Sequence, residues 1–322
     1  MRPALTAAIC THDRPLLLRR ALASLIAQRD APAEILVVDN APSDGRARAL
    51  VAEAFPSVTY LHEPSPGLDF SRNRALRAAA GDVVAFLDDD AVADPGWSAA
   101  LTAAFEGPGV GAVTGRVGAL TLETEAQRLF EANGGFGRGL ERVRLPEDAK
   151  RPLHGRRAPL IAWAVSVGSG CSLAVRRELA LRLGGFDEAL DLGEVLPGGG
   201  DHDLLWRVLE SGHAVVYEPA AFARHEHRRD AAAMAAQISG HQRALVALVV
   251  KILTRSRGRR LAPIAAFLAW RLLKPGHRLA RRLLGKDPLP APLLLRMWGD
   301  CLRGVWAYPL ARREAERRRR AA

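Results

Sequence analysis

The sequence predicts an α/β fold, a mostly parallel sheet flanked by helices, followed by a basic helical extension. Three observations carry this expectation. Short apolar runs at residues 4–10, 35–38, 58–61 and 83–87 alternate with segments whose apolar residues recur at helical spacing. The resulting order β-α-β-α-β-α-β implies parallel strands joined by right-handed crossovers. The charge is divided along the chain. Residues 241–322 carry 20 Lys and Arg against 4 Asp and Glu, a net of +16, which leaves −5 on the first 240 residues of a chain with +11 overall.

The first run ends in Thr11-His12-Asp13-Arg14-Pro15. Thr11 or Asp13 can cap the helix that follows, with Pro15 in its first turn. Leu16, Leu17, Ala21, Leu25 and Ile26 give that helix an apolar face. The turn holds no glycine, so the dinucleotide fingerprint is missing. The second run ends in Asp39-Asn40, and a helix over about 45–55 leads to the third. Gly67 to Ala75 is a turn feeding a further helix, which closes near Gly81. The fourth run, Val83 to Leu87, reads as a buried strand and leads straight into Asp88-Asp89-Asp90. A strand cannot bury three adjacent anions. The triplet is therefore expected to emerge at the strand's carboxyl end, where open α/β sheets bind ligands. Alternation aims Asp88 and Asp90 to one side, and a hard divalent cation reconciles two converging carboxylates. An acidic loop or a helix N-cap is the plainer alternative.

Pro95-Gly96-Trp97 opens another helix, and residues 110–114 form a fifth strand. Residues 116–160 show no period and predict a long loop excursion rather than a core element. Order returns at residues 162–167 and in Gly168 to Val175. A helix over about 176–183 precedes Gly184-Gly185-Phe186-Asp187. After Pro197-Gly198-Gly199-Gly200 comes Asp201-His202-Asp203, at the start of a helix reaching about Ser211. Residues 215–218 form a strand, with His225-Glu226-His227 beyond it. From Ala231 apolar residues interleave with Arg and Lys, Trp298 and Trp306 add bulk, and Arg317 to Arg320 stand near the end. The expected organisation is an α/β catalytic part over 1–230 and a basic helical region over 231–322.

With 48% hydrophobic and 25% charged residues, a chain of 322 residues can bury a sizeable core. Cys10, Cys171 and Cys301 form no metal pattern and suit a reducing compartment. The apolar run 244–250 is stopped by Lys251 and the run 261–270 by Arg271, so no membrane span is expected. These features imply a cytoplasmic protein. The cationic helices with Trp suit a peripheral position on an anionic membrane, at its inner face, with a solvated helical face as the plainer alternative.

The ordered set Ile9 to Arg14, Val37 to Asn40, Gly67 to Ala75, Phe86 to Asp90, Gly168 to Ala174, Gly185 to Asp187, Gly200 to Leu204 and His225 covers roughly residues 4–228. It resembles the family 2 glycosyltransferases, inverting enzymes with the Rossmann-like GT-A fold. The resemblance implies a nucleoside-diphosphate sugar donor (UDP-, dTDP- or GDP-linked) and a hydroxyl acceptor on a lipid or glycan. It implies that Thr11, Asp13, Arg14 and Asp39 line the nucleotide crevice and that Arg72 or Asn73 meets the pyrophosphate. Asp88, Asp89 and Asp90 become the DxD segment. Asp90 holds Mn2+ or Mg2+, Asp88 supports the metal or the ribose, and His225 adds a contact for which His227 competes. Trp163, Gly170 and Cys171 shape the acceptor side.

Inversion requires a base to take the acceptor's proton. The family supplies it from an acidic pair before a helix. Here the first position of that pair is Gly200, which leaves Asp201 as the expected base and Asp203 as the alternative. Plainer readings exist for several of these residues: Asp39 as a turn former, Arg72 on a solvated helix face, Trp163 in the core. A sugar-phosphate nucleotidyltransferase would need a glycine-rich loop after the first strand. A nucleic-acid-binding protein would explain the basic tail but not the acidic centre, so nucleic acid is not an expected partner.

Overall fold

The computed structural model describes residues 2–153, 158–258 and 261–321. Strands β1 (Leu5–Thr11), β2 (Glu34–Asn40), β3 (Thr59–Glu63) and β4 (Val83–Leu87) run parallel in the spatial order β3-β2-β1-β4. Helices α1 (Pro15–Ile26), α2 (Arg46–Ala54) and α3 (Leu68–Ala78) join them in the expected alternation. Ala7 and Ile9 of β1 pack with Leu18, Leu22 and Leu25 of α1, whereas Ala8 faces Leu76 of α3. Val83, Ala85 and Leu87 divide from Val84 and Phe86 in the same way. Burial on both faces is why these strands read as continuous apolar runs.

Beyond β4 the sheet becomes mixed. β5 (Ala91–Ala93) follows the aspartate triplet, then α4 (Trp97–Ala104) and β6 (Val110–Ala119). β8 (Ser172–Arg176) lies antiparallel between β4 and β6, and β9 (Ala214–His225) runs parallel to β6 and antiparallel to β5. Helices α6 (Leu160–Val167), α7 (Arg177–Arg182) and α8 (Gly200–Glu210) cover one face.

The expected excursion over residues 116–160 is more ordered than its composition predicts. β6 continues to Ala119, and α5 (Glu125–Ala132) and β7 (Val143–Leu145) follow. Thr124 and Gln127 cap α5 reciprocally, and β7 is held by pairing with β9, a contact remote in sequence. Residues 154–157 of that stretch lie outside the described residues.

The basic region forms α9 (Ala231–Arg255), α10 (Leu261–Leu283) and α11 (Ala291–Ala321). These helices share a core cluster with Phe70, Leu190, Leu192, Leu196 and Trp206 of the α/β part. Lys251, buried in α9, bridges the carboxylates of Asp187 and Asp203. Arg318 donates to the Pro66 carbonyl at 2.7 Å. Among the described residues no helix is long and apolar enough to cross a membrane.

Candidate active site

The carboxyl ends of β1, β2 and β4 open on a cleft of about 1420 Å³. The aspartate triplet forms the turn between β4 and β5, closed by the Ala91 N–H donating to the Asp88 carbonyl at 3.1 Å. The β5–β9 register sets Ala91 opposite His225, which brings that histidine to the triplet. The triplet stands at the carboxyl end of β4 as expected, and there Asp89 and Asp90 are only 6% and 4% exposed. Cationic and hydroxyl groups compensate them. Thr11 Oγ1 donates to Asp89 Oδ2 at 2.8 Å, and Arg14 Nη1 reaches Asp89 Oδ1 at 3.3 Å and Asp90 Oδ2 at 3.5 Å. Arg228 Nη1 donates to Asp90 Oδ2 at 3.4 Å, and His225 Nε2 lies 3.1 Å from Asp90 Oδ1. Burial, reinforced by Asp90, pushes the Asp88 carboxyl up to about 6. Burial also acts on Asp90, but His225, Arg228 and Arg14 outweigh it and draw that carboxyl down to about 2.

One donor atom from each of Asp88, Asp90 and His225 lies within 4.8 Å of the others. Two carboxylates and an imidazole suit a divalent cation that keeps positions open for phosphate oxygens. His227 is otherwise engaged. Its Nδ1 is 3.0 Å from His225 Nδ1 and its Nε2 is 2.6 Å from Glu131 Oε1.

Asp201 opens α8 and lines the same cleft. Its Oδ1 accepts the His202 N–H at 2.8 Å and lies 2.8 Å from His202 Nδ1. Burial alone would raise the Asp201 carboxyl, yet His202 and Arg72 hold it well below the usual carboxylate range. The helix N-terminus acts in the same sense. The His202 imidazole is raised in turn, burial being overcome by the Asp201 charge. Gly168 makes room for that ring, since a Cβ there would stand 2.9 Å from His202 Cδ2.

Of the residues expected from sequence, Thr11, Arg14, Arg72, Asp88, Asp89, Asp90, Trp163, Gly170, Cys171, Asp201 and His225 line this cleft. Four others do not. Asp13 adopts φ 55° and accepts the Ser43 N–H at 2.9 Å, so it shapes the turn after β1. Asp39 is fully buried behind the cleft wall; its Oδ2 accepts the Tyr60 hydroxyl at 2.8 Å and its Oδ1 has no partner among the described residues. Asn73 exchanges two hydrogen bonds with the Phe186 backbone, at 2.7 and 2.9 Å, and so pins the Gly185-Phe186-Asp187 turn. Asp203 is enclosed by Lys251 and by Arg207 Nε at 2.8 Å. Asn73 and Asp203 face a second depression of about 550 Å³.

Sequence reasoning did not single out Asp191, His202, Arg138, Arg228, Gln237 and His241, which also line the cleft, nor Asp69, which bonds Arg72. Asp69, His202 and Arg228 each sit within three residues of a motif position, and that proximity was the available signal. The others arrive only through the packing of loops and of α9 on the α/β part.

The family described as glycosyl transferase family 2 matches residues 6–184. The pre-mycofactocin glycosyltransferase of Mycobacterium tuberculosis is 31% identical over 217 residues, 66% of this chain and 40% of that protein. The succinoglycan biosynthesis protein ExoM of Rhizobium meliloti is 28% identical over 223 residues, 66% of this chain and 64% of that protein. The chain thus aligns with less than two thirds of the length of either relative. Among solved structures, the mannosyltransferase PcManGT of Pyrobaculum calidifontis, in complex with GDP-Man and Mn2+, shares the fold. Its TM-score is 0.59 at 20% identity, over 97% of this chain and 87% of that one.

Proposed function

Since the chain belongs to glycosyl transferase family 2, we propose that it moves a sugar from a nucleoside-diphosphate donor to a hydroxyl acceptor with inversion. One observation carries this reading: a single cleft joins the Asp88–Asp90–His225 cluster to the ionised Asp201. Asp201 Oδ2 accepts no hydrogen bond among the described residues and is open to an acceptor. Asp203, held by Lys251 and Arg207, is poorly placed for the same task.

In this mechanism Asp201 takes the proton of the acceptor hydroxyl as its oxygen attacks the anomeric carbon. The bond from that carbon to the diphosphate oxygen breaks, and its electron pair leaves with the nucleoside diphosphate. A divalent cation held by Asp88, Asp90 and His225, Mn2+ or Mg2+, would offset the charge of that leaving group. Arg14 and Arg228, already within 3.5 Å of Asp90, orient the aspartate turn.

The α9 wall of the cleft, Ile238, Leu245 and Leu248, faces Leu192 and Val195. That apolar side favours an acceptor carried on a lipid. Consistent with attachment at an anionic membrane surface, Trp270, Leu273, Trp306 and Leu310 stand 46%, 68%, 74% and 59% exposed on the basic helices.

A thermal-shift series with GDP, UDP and dTDP, each with and without Mn2+, tests the donor site. A ligand that binds only the native state raises the melting temperature. One nucleotide is expected to do so strongly only with the metal, and Asp90→Ala is expected to remove that metal-dependent part. No shift with any nucleotide would oppose the reading.

A further inference from the structure

Helix α8 begins at Gly200, and the space over that glycine is filled from another element. A Cβ built on Gly200 would stand 1.8 Å from Asp69 Oδ2, 2.6 Å from its Cγ and 2.7 Å from its Oδ1. Asp69 lies in the first turn of α3 and is 0% exposed, so its carboxylate has nowhere to retreat. Its Oδ1 accepts from Arg72 Nη1 at 3.0 Å, and its Oδ2 has no partner among the described residues. Arg72, itself buried, has Asp191 Oδ2 3.7 Å from the same Nη1, and that oxygen accepts the Gly200 N–H at 2.8 Å. The guanidinium and Asp201 meet across one more glycine. A Cβ on Gly170 would stand 2.5 Å from Arg72 Nη2 and 3.3 Å from Asp201 Oδ2.

Burial and the Asp191 charge push the Asp69 carboxyl well above its ordinary range, and Arg72 opposes them, so a single buried cation is shared among three carboxyl groups. Asp69 and Asp191 hold Arg72 from one side, and Asp201 feels what remains. Were Asp69 neutral, the guanidinium would bear more fully on Asp201 and weaken it as a proton acceptor. We propose that Asp69 is a positioning residue for Asp201: it anchors Arg72, and its carboxylate occupies the volume that a side chain at position 200 would fill. An acidic group in that volume is supplied from position 69 or from position 200, but not from both. The proposal rests on the reading of Asp201 as the base.

The test follows release of nucleoside diphosphate from the most active of GDP-, UDP- and dTDP-linked sugars in Mn2+. Asp69→Asn keeps the volume and removes the charge. It is expected to lower kcat about tenfold or more with donor KM and melting temperature nearly unchanged. Gly200→Glu alone is expected to lose about 100-fold in kcat or to fail to fold, because two groups would claim one space. Combined with Asp69→Gly, the same Gly200→Glu change is expected to restore a folded chain within about tenfold of the parent, a non-additive recovery. Wild-type turnover in Gly200→Glu, an unchanged kcat in Asp69→Asn, or a double variant no more active than Asp69→Gly would each overturn the proposal. Asp201→Asn separates the two readings. If it remains active the base assignment has failed, and if it is inactive while the double variant shows no recovery only the present inference has.

Discussion

His202 Nδ1 and Asp201 Oδ1, 2.8 Å apart, shift each other's protonation. The carboxyl is lowered, so its share of stability is present above the ordinary aspartate range and is lost as pH falls through the folded value. The imidazole is raised, so its share is present below about pH 6.5 and is lost as pH rises through its folded value. The pair is therefore strongest between roughly pH 4 and 6.5. The kcat profile of the parent is expected to show no acid limb from Asp201 above about pH 4. In His202→Ala burial is left unopposed by that partner, and an acid limb is expected at higher pH; an unshifted profile would remove His202 from this role. At this scale the sequence was informative where function demands a residue type next to a motif. Thr11, Arg14 and the aspartate triplet were readable because they stand at strand ends. Asn73 and Asp203 were named as alternatives because a motif position does not say which way a side chain turns, and both turn to neighbouring loops or helices.

At the scale of elements, the four parallel strands were legible because each is buried on both faces and reads as an unbroken apolar run. The three-residue β5 was not legible. It exists through its pairing with β9, the same pairing that delivers His225 to Asp90. Likewise the Thr124–Gln127 box was a local signal for α5 inside an otherwise aperiodic stretch, whereas β7 depends on a remote partner. Lys251 illustrates the tertiary override most clearly. In sequence it ends an apolar run; in the fold it is 3% exposed between Asp187 and Asp203. Lys251→Met leaves the buried Asp203 and the half-buried Asp187 with less compensation, and a loss of about 3 kcal/mol or more is expected from chemical denaturation. A loss under about 0.5 kcal/mol would show that Arg207 and Tyr308 suffice for the two aspartates.

At the scale of the whole molecule, the division of charge was legible in the sequence and the docking of the basic helices was not. α9 walls the cleft and shares a core with the α/β part, so the positive region is integral to the site. Removing residues 241–322 would open that core, so membrane attachment is better tested at its surface. Trp306→Ala with Leu310→Ala is expected to release the protein from anionic vesicles while leaving its melting temperature within a few degrees. Undiminished sedimentation with those vesicles would refute the membrane face. In the proposed mechanism the chemistry turns on Asp201, and its most direct test is turnover of Asp201→Asn on the nucleoside-diphosphate sugar that the parent accepts. Loss of kcat by about 100-fold or more, with the nucleotide-induced thermal shift retained, is the expected result. Near-parental turnover in that variant would contradict it.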